Sequence, residues 1–414
     1  MLGLTAAVAS CSSSSGSSSG PVTITFWSSG SQQVIDHLQA AFNASHTDIK
    51  VKGQYIASSD DLTAKEVSAI KSDTEPNVVI GQDPSTLPLL AQSGKVVDLT
   101  GALKAETDAL YPGIRSALTY QGKQLGFALG GVGDYCLFYN KADFKKAGIT
   151  APPTTMAQLE ADAIKLSDPA HHHYGIYVPL GSSEWISYLW EGFLWANGGQ
   201  FLSSDGKSVA FNSKAGLDAL TTWVNLVRKD HAAPTTSYAQ AGSYDGAPAF
   251  AGGDVSMIIE GQFALEPFRS AKVDFGVAPF PTGTSGKSAT GIGVGVASVF
   301  DKGDQANQAG EQFLEWLGQP AQGAYLTAAS SGLPSAPNQL SQPAVQKEAK
   351  ADPTYKVFAA QLKTGQSRPT IPAYAAISQA LSTQIDAALR GSVSPAQALA
   401  KAAQQGNQAL QGNS

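Results

Sequence analysis

The stretch from Pro21 to Asp83 most narrows the folds open to this chain. Val22, Ile24 and Phe26 alternate with other residues, as one face of a strand requires, and the strand runs into a polar loop at 28–31. Val34, Leu38, Ala41 and Phe42 then recur at helical spacing. Ile49 to Val51, continued by Gln54 to Ile56, reads as a second strand. Ser58 to Asp61 caps a helix carrying Leu62, Val67 and Ile70, and Asn77 to Gly81 is a short apolar third strand. Strand, helix, strand, helix, strand in this order argues for a parallel, doubly wound α/β sheet, in which ligands sit at the carboxyl ends of strands. The loops 28–31, 57–60 and 82–84 all lie at such ends.

Downstream, glycine-rich residues 126–133 lead into a strand at Tyr135 to Tyr139. Further strands are expected at Tyr174 to Pro179, Val255 to Ile259 and Gly291 to Val299. Helices are expected at Lys214 to Arg228, Gln305 to Leu317, Ile377 to Leu389 and Pro395 to Leu410. A chain of 414 residues exceeds the size at which one core keeps growing, so two domains are expected. The Gly/Pro-rich segments 128–133, 281–290 and 330–337 read as three crossings between them. The expected organisation is a spacer at 1–20, one lobe from 21–130 plus 287–333, and a second from 131–286 plus 334–414.

Residues 181–199 carry three of the six tryptophans. Trp185, Tyr188, Leu189, Gly192, Phe193 and Ala196 form one helical face, and Trp190, Leu194 and Asn197 form another. The helix is therefore apolar almost all round and should be largely buried. Ser182 or Ser183 can cap its start, and Gly198 and Gly199 end it. Trp190 and Trp195 read as core. Trp185, in the first turn behind small polar residues, admits two readings: core packing, or a ring face free to stack on a ligand.

Composition removes other classes. Only 14% of residues are charged, the net charge is -6, and no basic stripe exists, so nucleic acid is not an expected partner. The two cysteines, Cys11 and Cys136, lack metal-site spacing, and Cys136 reads as a small buried hydrophobe. Val8, Ala9 and Ser10 before Cys11, followed by a Ser/Gly tract to Gly20, resemble a bacterial lipoprotein signal cleaved before a lipidated cysteine. The basic leader is missing and the apolar run is short, so the recorded start is expected to lie inside a longer signal. No other segment approaches about 18 consecutive apolar residues. His171 to His173 follow Asp168 and Pro169 and read as a solvated loop, and Gly131 to Gly133 is too short for a phosphate loop. Asp83, Asp134 and Glu260 admit three readings: acceptors for sugar hydroxyls, a catalytic carboxylate set as in glycoside hydrolysis, or helix caps.

The order of motifs across residues 21 to about 410 resembles the extracellular solute-binding proteins of ABC importers, specifically the maltose-binding type. Phe26 and Trp27 with their polar loop, Asn77 to Ile80 through Gln92 to Leu99, and Tyr139 to Gly148 with Pro152 and Pro153 carry the resemblance. So do Phe250 to Met257 with Glu260 to Leu265, Ala278 to Pro281, and the tail from Ile371 to Tyr374 with Ile385 to Gly391 and Ser394 to Leu399. The resemblance implies a two-lobed periplasmic-binding-protein-like fold, each lobe a mostly parallel sheet flanked by helices around a hinged cleft. It implies capture of a carbohydrate and delivery to the transmembrane subunits of an ABC permease, by a monomer on the outer face of the cytoplasmic membrane anchored through Cys11. No cofactor, metal or catalytic residue is implied. Matching the family's motifs position by position implies ligand contacts at Ser29, Gly30, Ser58, Ser59, Asp83, Asp134, Trp185, Glu260, Gln262, Gly293, Leu333, Arg368 and Tyr374. Three carboxyls against the single cation Arg368 favour a neutral sugar. A glycerol 3-phosphate or phosphodiester binder on the same fold and a secreted glycan hydrolase are the alternatives.

Overall fold

The computed structural model describes residues 20–238 and 246–412; Cys11 and the spacer ahead of residue 20 lie outside them, as do the side chains of residues 59 and 60. The first sheet contains β1 (Val22–Ser28), β2 (Ile49–Tyr55), β3 (Val78–Gln82), β4 (Phe127–Ala128) and a late strand, β9 (Val296–Val299). Their spatial order is β2-β1-β3-β9-β4. β1 pairs in parallel with β2 along all seven residues and with β3, whereas β9 runs antiparallel to β3 and β4. Ile24 and Phe26 point to one face, as strand alternation demands. There Phe26 meets Phe313 of the helix α5 (Asp304–Gly318) at 5.2 Å between ring centroids. Phe42 of α1 (Gln32–Ser45) meets the same ring at 5.0 Å. Ser31 caps α1 by accepting from the Val34 N–H, and Ser58 caps α2 (Ser59–Ser72) by accepting from the Asp61 N–H, so both helices start where their polar caps place them.

The second sheet is built from β5 (Gly133–Asn140), β6 (Met257–Gly261), β7 (Phe275–Ala278) and β8 (Ile292–Gly293). All of its ladders are antiparallel, which corrects the expectation of a mostly parallel sheet in this lobe. A strand buried on both faces shows no polar alternation, so its sequence does not reveal the direction of its neighbours. The segment expected as a strand from Tyr174 to Pro179 lies alongside β6 with only a single parallel bridge, Tyr174 to Val255. Pro179 has no N–H to extend the ladder.

β5 divides its side chains between two cores. Tyr135 and Leu137 join the cluster formed by α3 (Glu184–Ala196), α4 (Lys214–Val224), α6 (Tyr374–Leu389) and α7 (Pro395–Gly412). Cys136 and Phe138 join the cluster that also contains the first sheet, so one core runs continuously from the first lobe to the underside of the second. Trp190 and Trp195 are buried, as expected. Ser183 occupies the first cap position of α3 without a side-chain cap bond, because its backbone carbonyl receives Ile186 instead and Ser182 turns to Thr383. The helix expected to run to Arg228 changes to a wider π turn over Asn225–Lys229. Among the described residues no helix is long and apolar enough to cross a membrane.

The passages between the sheets are short. Gly130 and Gly131 are required at the first: a Cβ on Gly130 would collide with the Gly323 carbonyl oxygen, and Gly131 has φ of 92°. Val132 forms an antiparallel bridge with Leu333 of the last passage. The single strand expected over Gly291 to Val299 is split. Ile292 and Gly293 pair with Asp134 and Gly133 in the second sheet, while Val296–Val299 pairs in the first. Residues 281–290 remain on the second lobe, where Ser285 donates to the Ala196 carbonyl and the Thr284 N–H donates to Asn197. The chain therefore changes sheets at Val294 and Gly295 rather than within 281–290.

One acid in the first lobe makes stability depend on pH. Glu66 of α2 is 2% exposed, and neither carboxyl oxygen has a hydrogen-bond partner among the described residues. Burial pushes its pKa from 4.5 to about 8. The folded protein thus holds a proton that the unfolded chain releases above 4.5, so stability falls as pH rises from 4.5 to about 8. Each tenfold difference in proton affinity between the folded and unfolded chain is worth about 1.4 kcal/mol. Glu66→Gln is therefore expected to stabilise the protein by about 3 kcal/mol at neutral pH and by almost nothing near pH 4.5. Denaturant titrations at the two pH values check this; equal gains at both would contradict it.

Candidate functional site

The site lies where the carboxyl end of β3 faces the start of α3 across the passages. Asp83 follows β3 and caps the short turn at Pro84–Thr86, its Oδ1 accepting from the Ser85 N–H at 2.8 Å. Its Oδ2 accepts from Arg368 Nη2 at 3.3 Å. Glu184, in the first turn of α3, accepts from Arg368 Nη1 at 2.7 Å. Arg368 thus bridges a loop of the first sheet to a helix of the second, and its guanidinium also lies 5.1 Å from the Tyr188 ring centroid. Burial pulls the Arg368 pKa down, but the Glu184 and Asp83 carboxylates outweigh it, and the net shift is upward.

Behind this bridge the polar chain continues inward. The Tyr374 hydroxyl is 3.1 Å from both Glu184 and Glu191. One hydroxyl proton cannot serve two carboxylates. Glu191 is fully buried, and burial raises its pKa well above the usual range. Burial favours the neutral, proton-bearing form of Glu191, and in that form it can donate to Tyr374 and leave the hydroxyl proton for Glu184. Asp83, Ser85, Glu184, Arg368, Tyr374 and Gln379 line part of a cavity of about 410 Å³. Beyond Tyr188 stands an aromatic wall: Trp185 meets Tyr188 at 5.8 Å and Phe263 at 5.9 Å between centroids, and Phe263 is 40% exposed.

The residues implied by the motif matches fall into groups. Asp83, Arg368 and Tyr374 come together in the cavity, and Trp185 stands half-buried beside it. Ser29 and Gly30 follow β1, Ser29 donating to the Gly81 carbonyl at 3.4 Å and the Gly30 N–H donating to Ser28. Ser58 is exposed and its hydroxyl is engaged by Asp61; the side chain of Ser59 lies outside the described residues. Gln262 accepts from the Asp134 N–H and donates to the Val132 carbonyl, so its amide clamps the first passage. Gly293 is paired to Gly133 in the same passage. Leu333 is fully buried and contributes its backbone to that ladder rather than a side chain to the cavity. Asp134 and Glu260 are buried, Glu260 accepting from the Gly261 N–H, and burial raises the Asp134 pKa well above the usual range.

Sequence reading passed over Glu184, Glu191 and Phe263 as site residues. Glu184 adjoins Trp185 in the same first turn, which was the available signal. Phe263 follows Gln262, and Glu191 gave no signal beyond being an acid in an apolar helix.

Two α/β lobes that meet at a cavity with a charged polar end, beside a cluster of aromatic rings, have the architecture of a two-lobed solute-binding protein. The chain belongs to the bacterial extracellular solute-binding protein family, whose profile matches residues 28–324. It is similar in structure to the cyclic alpha-maltosyl-1,6-maltose binding protein from Arthrobacter globiformis, with a TM-score of 0.85, 27% identity, and coverage of 95% of this chain and 100% of that one. In sequence it is 26% identical over 275 residues to a binding protein of Brucella abortus (strain 2308), covering 64% of this chain and 63% of that protein. It is also 24% identical over 323 residues to the sn-glycerol-3-phosphate-binding periplasmic protein UgpB of Yersinia enterocolitica, covering 72% of this chain and 70% of that protein.

The two kinds of tryptophan in α3 should separate by stability. Trp190→Ala is expected to cost about 3–5 kcal/mol, the usual cost of emptying a core aromatic site. Trp185→Ala, at the half-buried cleft wall, should cost about 1–2 kcal/mol because less apolar area leaves water there. Chemical denaturation of both variants measures the difference; equal costs would place Trp185 in the core.

Proposed function

We propose that this protein is the solute receptor of an ABC importer, capturing a neutral sugar or oligosaccharide between its two lobes and handing it to a membrane permease, with Cys11 as its lipid anchor. The observation that carries the reading is the pairing of an aromatic wall, Trp185 and Phe263, with a cavity whose one cation among the described residues, Arg368, is already held by two carboxylates. Sugar rings present apolar C–H faces that suit aromatic rings, and their hydroxyls suit carboxylate and amide partners. The cavity volume falls within the range of small-molecule sites. The relative from Arthrobacter globiformis, named for a cyclic maltosyl-maltose, supports an α-glucan oligosaccharide.

The glycerol 3-phosphate reading has the Yersinia enterocolitica relative behind it. A phosphate asks for converging cations or open N–H donors. Here two carboxylates face the cavity beside one guanidinium, which favours the neutral ligand. The hydrolase reading is weaker still. Of the three acids weighed for it, Asp134 and Glu260 are buried and Asp83 is an ion-pair partner and turn cap.

Titration calorimetry with maltose, maltotriose, cyclic maltosyl-maltose and glycerol 3-phosphate, at low and high salt, tests the reading. A neutral glycan is expected to bind with little salt dependence and without turnover. Trp185→Ala should weaken that binding by about 1–3 kcal/mol, the scale of aromatic stacking on flat ligands. Tight, salt-sensitive binding of glycerol 3-phosphate, or product release from a glycan, would overturn it.

A further inference from the structure

The geometry points to Glu184 as the residue that sets the charge of the ligand, by occupying Arg368 so that the cleft rejects anions. The inference rests on the proposed neutral-sugar reading. Arg368 is the only cation among the described residues lining the cavity. An arginine at a cavity wall presents five N–H donors in a planar fork and by itself recruits phosphates and carboxylates. Here the fork is divided: Nη1 goes to Glu184 at 2.7 Å and Nη2 to Asp83 at 3.3 Å. One face of the fork is covered by the Tyr188 ring and Tyr374 stands beyond it, 6.0 Å away. The shorter of the two ion pairs belongs to Glu184.

Glu184 is also tied to the core of the second lobe, whereas the other bond of Asp83 is to its own turn. Its side chain is 44% exposed, so it borders the cavity, yet the Tyr374 hydroxyl donates to it from the buried side. Tyr374 is in turn held in place by Glu191, in the core of α3. A buried acid two turns along the same helix therefore fixes the carboxylate that neutralises the arginine. An incoming phosphate or uronate would meet two carboxylates and a guanidinium whose charge they already neutralise, with one bond on each terminal nitrogen taken. A neutral hydroxyl meets acceptors, which suit it.

Glu184→Gln keeps the side-chain shape and an oxygen for Tyr374 while removing the charge. Asp83→Asn does the same at the longer of the two ion pairs and serves if the first variant fails to fold. By calorimetry at low salt, Glu184→Gln is expected to bind glycerol 3-phosphate about tenfold or more tightly than the wild type, with a smaller gain for Asp83→Asn. The gain should shrink as salt is raised, because exposed charges are screened within about 10 Å. Adding Arg368→Met to Glu184→Gln should abolish it. If both single variants melt like the wild type and neither gains affinity, the role of Glu184 is overturned and the sugar reading still stands. If the wild type already binds glycerol 3-phosphate tightly, the sugar reading and the role of Glu184 both fall.

Discussion

The position of the candidate cavity depends on a small patch of backbone where the two sheets exchange chain. Val132 and Leu333 pair there, Asp134 and Gly133 pair with Ile292 and Gly293, and the Gln262 amide ties Asp134 to Val132. Gly130 and Gly131 are needed because the neighbouring helix leaves no room for a Cβ and one backbone angle is left-handed. A ladder of so few bonds fixes where the lobes meet while leaving the angle between them to a few residues, which is the usual construction of a hinge. One core continues across it, from Phe26 to Phe138.

At the cavity the strongest interactions are electrostatic. Arg368 joins Asp83 of the first lobe to Glu184 of the second, and Tyr374 with Glu191 anchors the second half of that bridge in the core. Such a bridge, 22% exposed at the arginine, is partly desolvated, so its partners strengthen each other more than surface ion pairs do. It sits beside an aromatic wall that carries no charge. A polar cavity thus has an apolar aromatic cluster for a neighbour, the same two kinds of surface that a sugar ring presents.

The first lobe was legible because its elements are amphipathic. Alternation in β1 and the 3.6 period of α1 state which face is inside, and the serines at 31 and 58 mark the helix starts. The second sheet was less so. β5 is apolar on both faces, so nothing in its residues announces antiparallel neighbours, and the broken strand at 291–299 reads as continuous because Val294 and Gly295 fit a strand as well as a passage. In the site, Asp83, Trp185, Arg368 and Tyr374 followed from motif position. Glu184 and Glu191 did not, because their roles depend on a tail residue 184 positions away from the first of them reaching back to α3. Leu333 and Gln262 were matched to the cleft by motif position, and the structure uses both in the passages instead.

The proposed hinge has one expected consequence in solution: the two lobes should close about a bound ligand. Small-angle scattering on the protein alone and with a saturating neutral glycan, its binding confirmed by calorimetry, reads that closure without any variant. The radius of gyration is expected to fall on binding, with each lobe's scattering consistent with a rigid body. An unchanged radius in a protein that demonstrably binds the glycan would contradict closure, and with it the reading of the passages as a hinge.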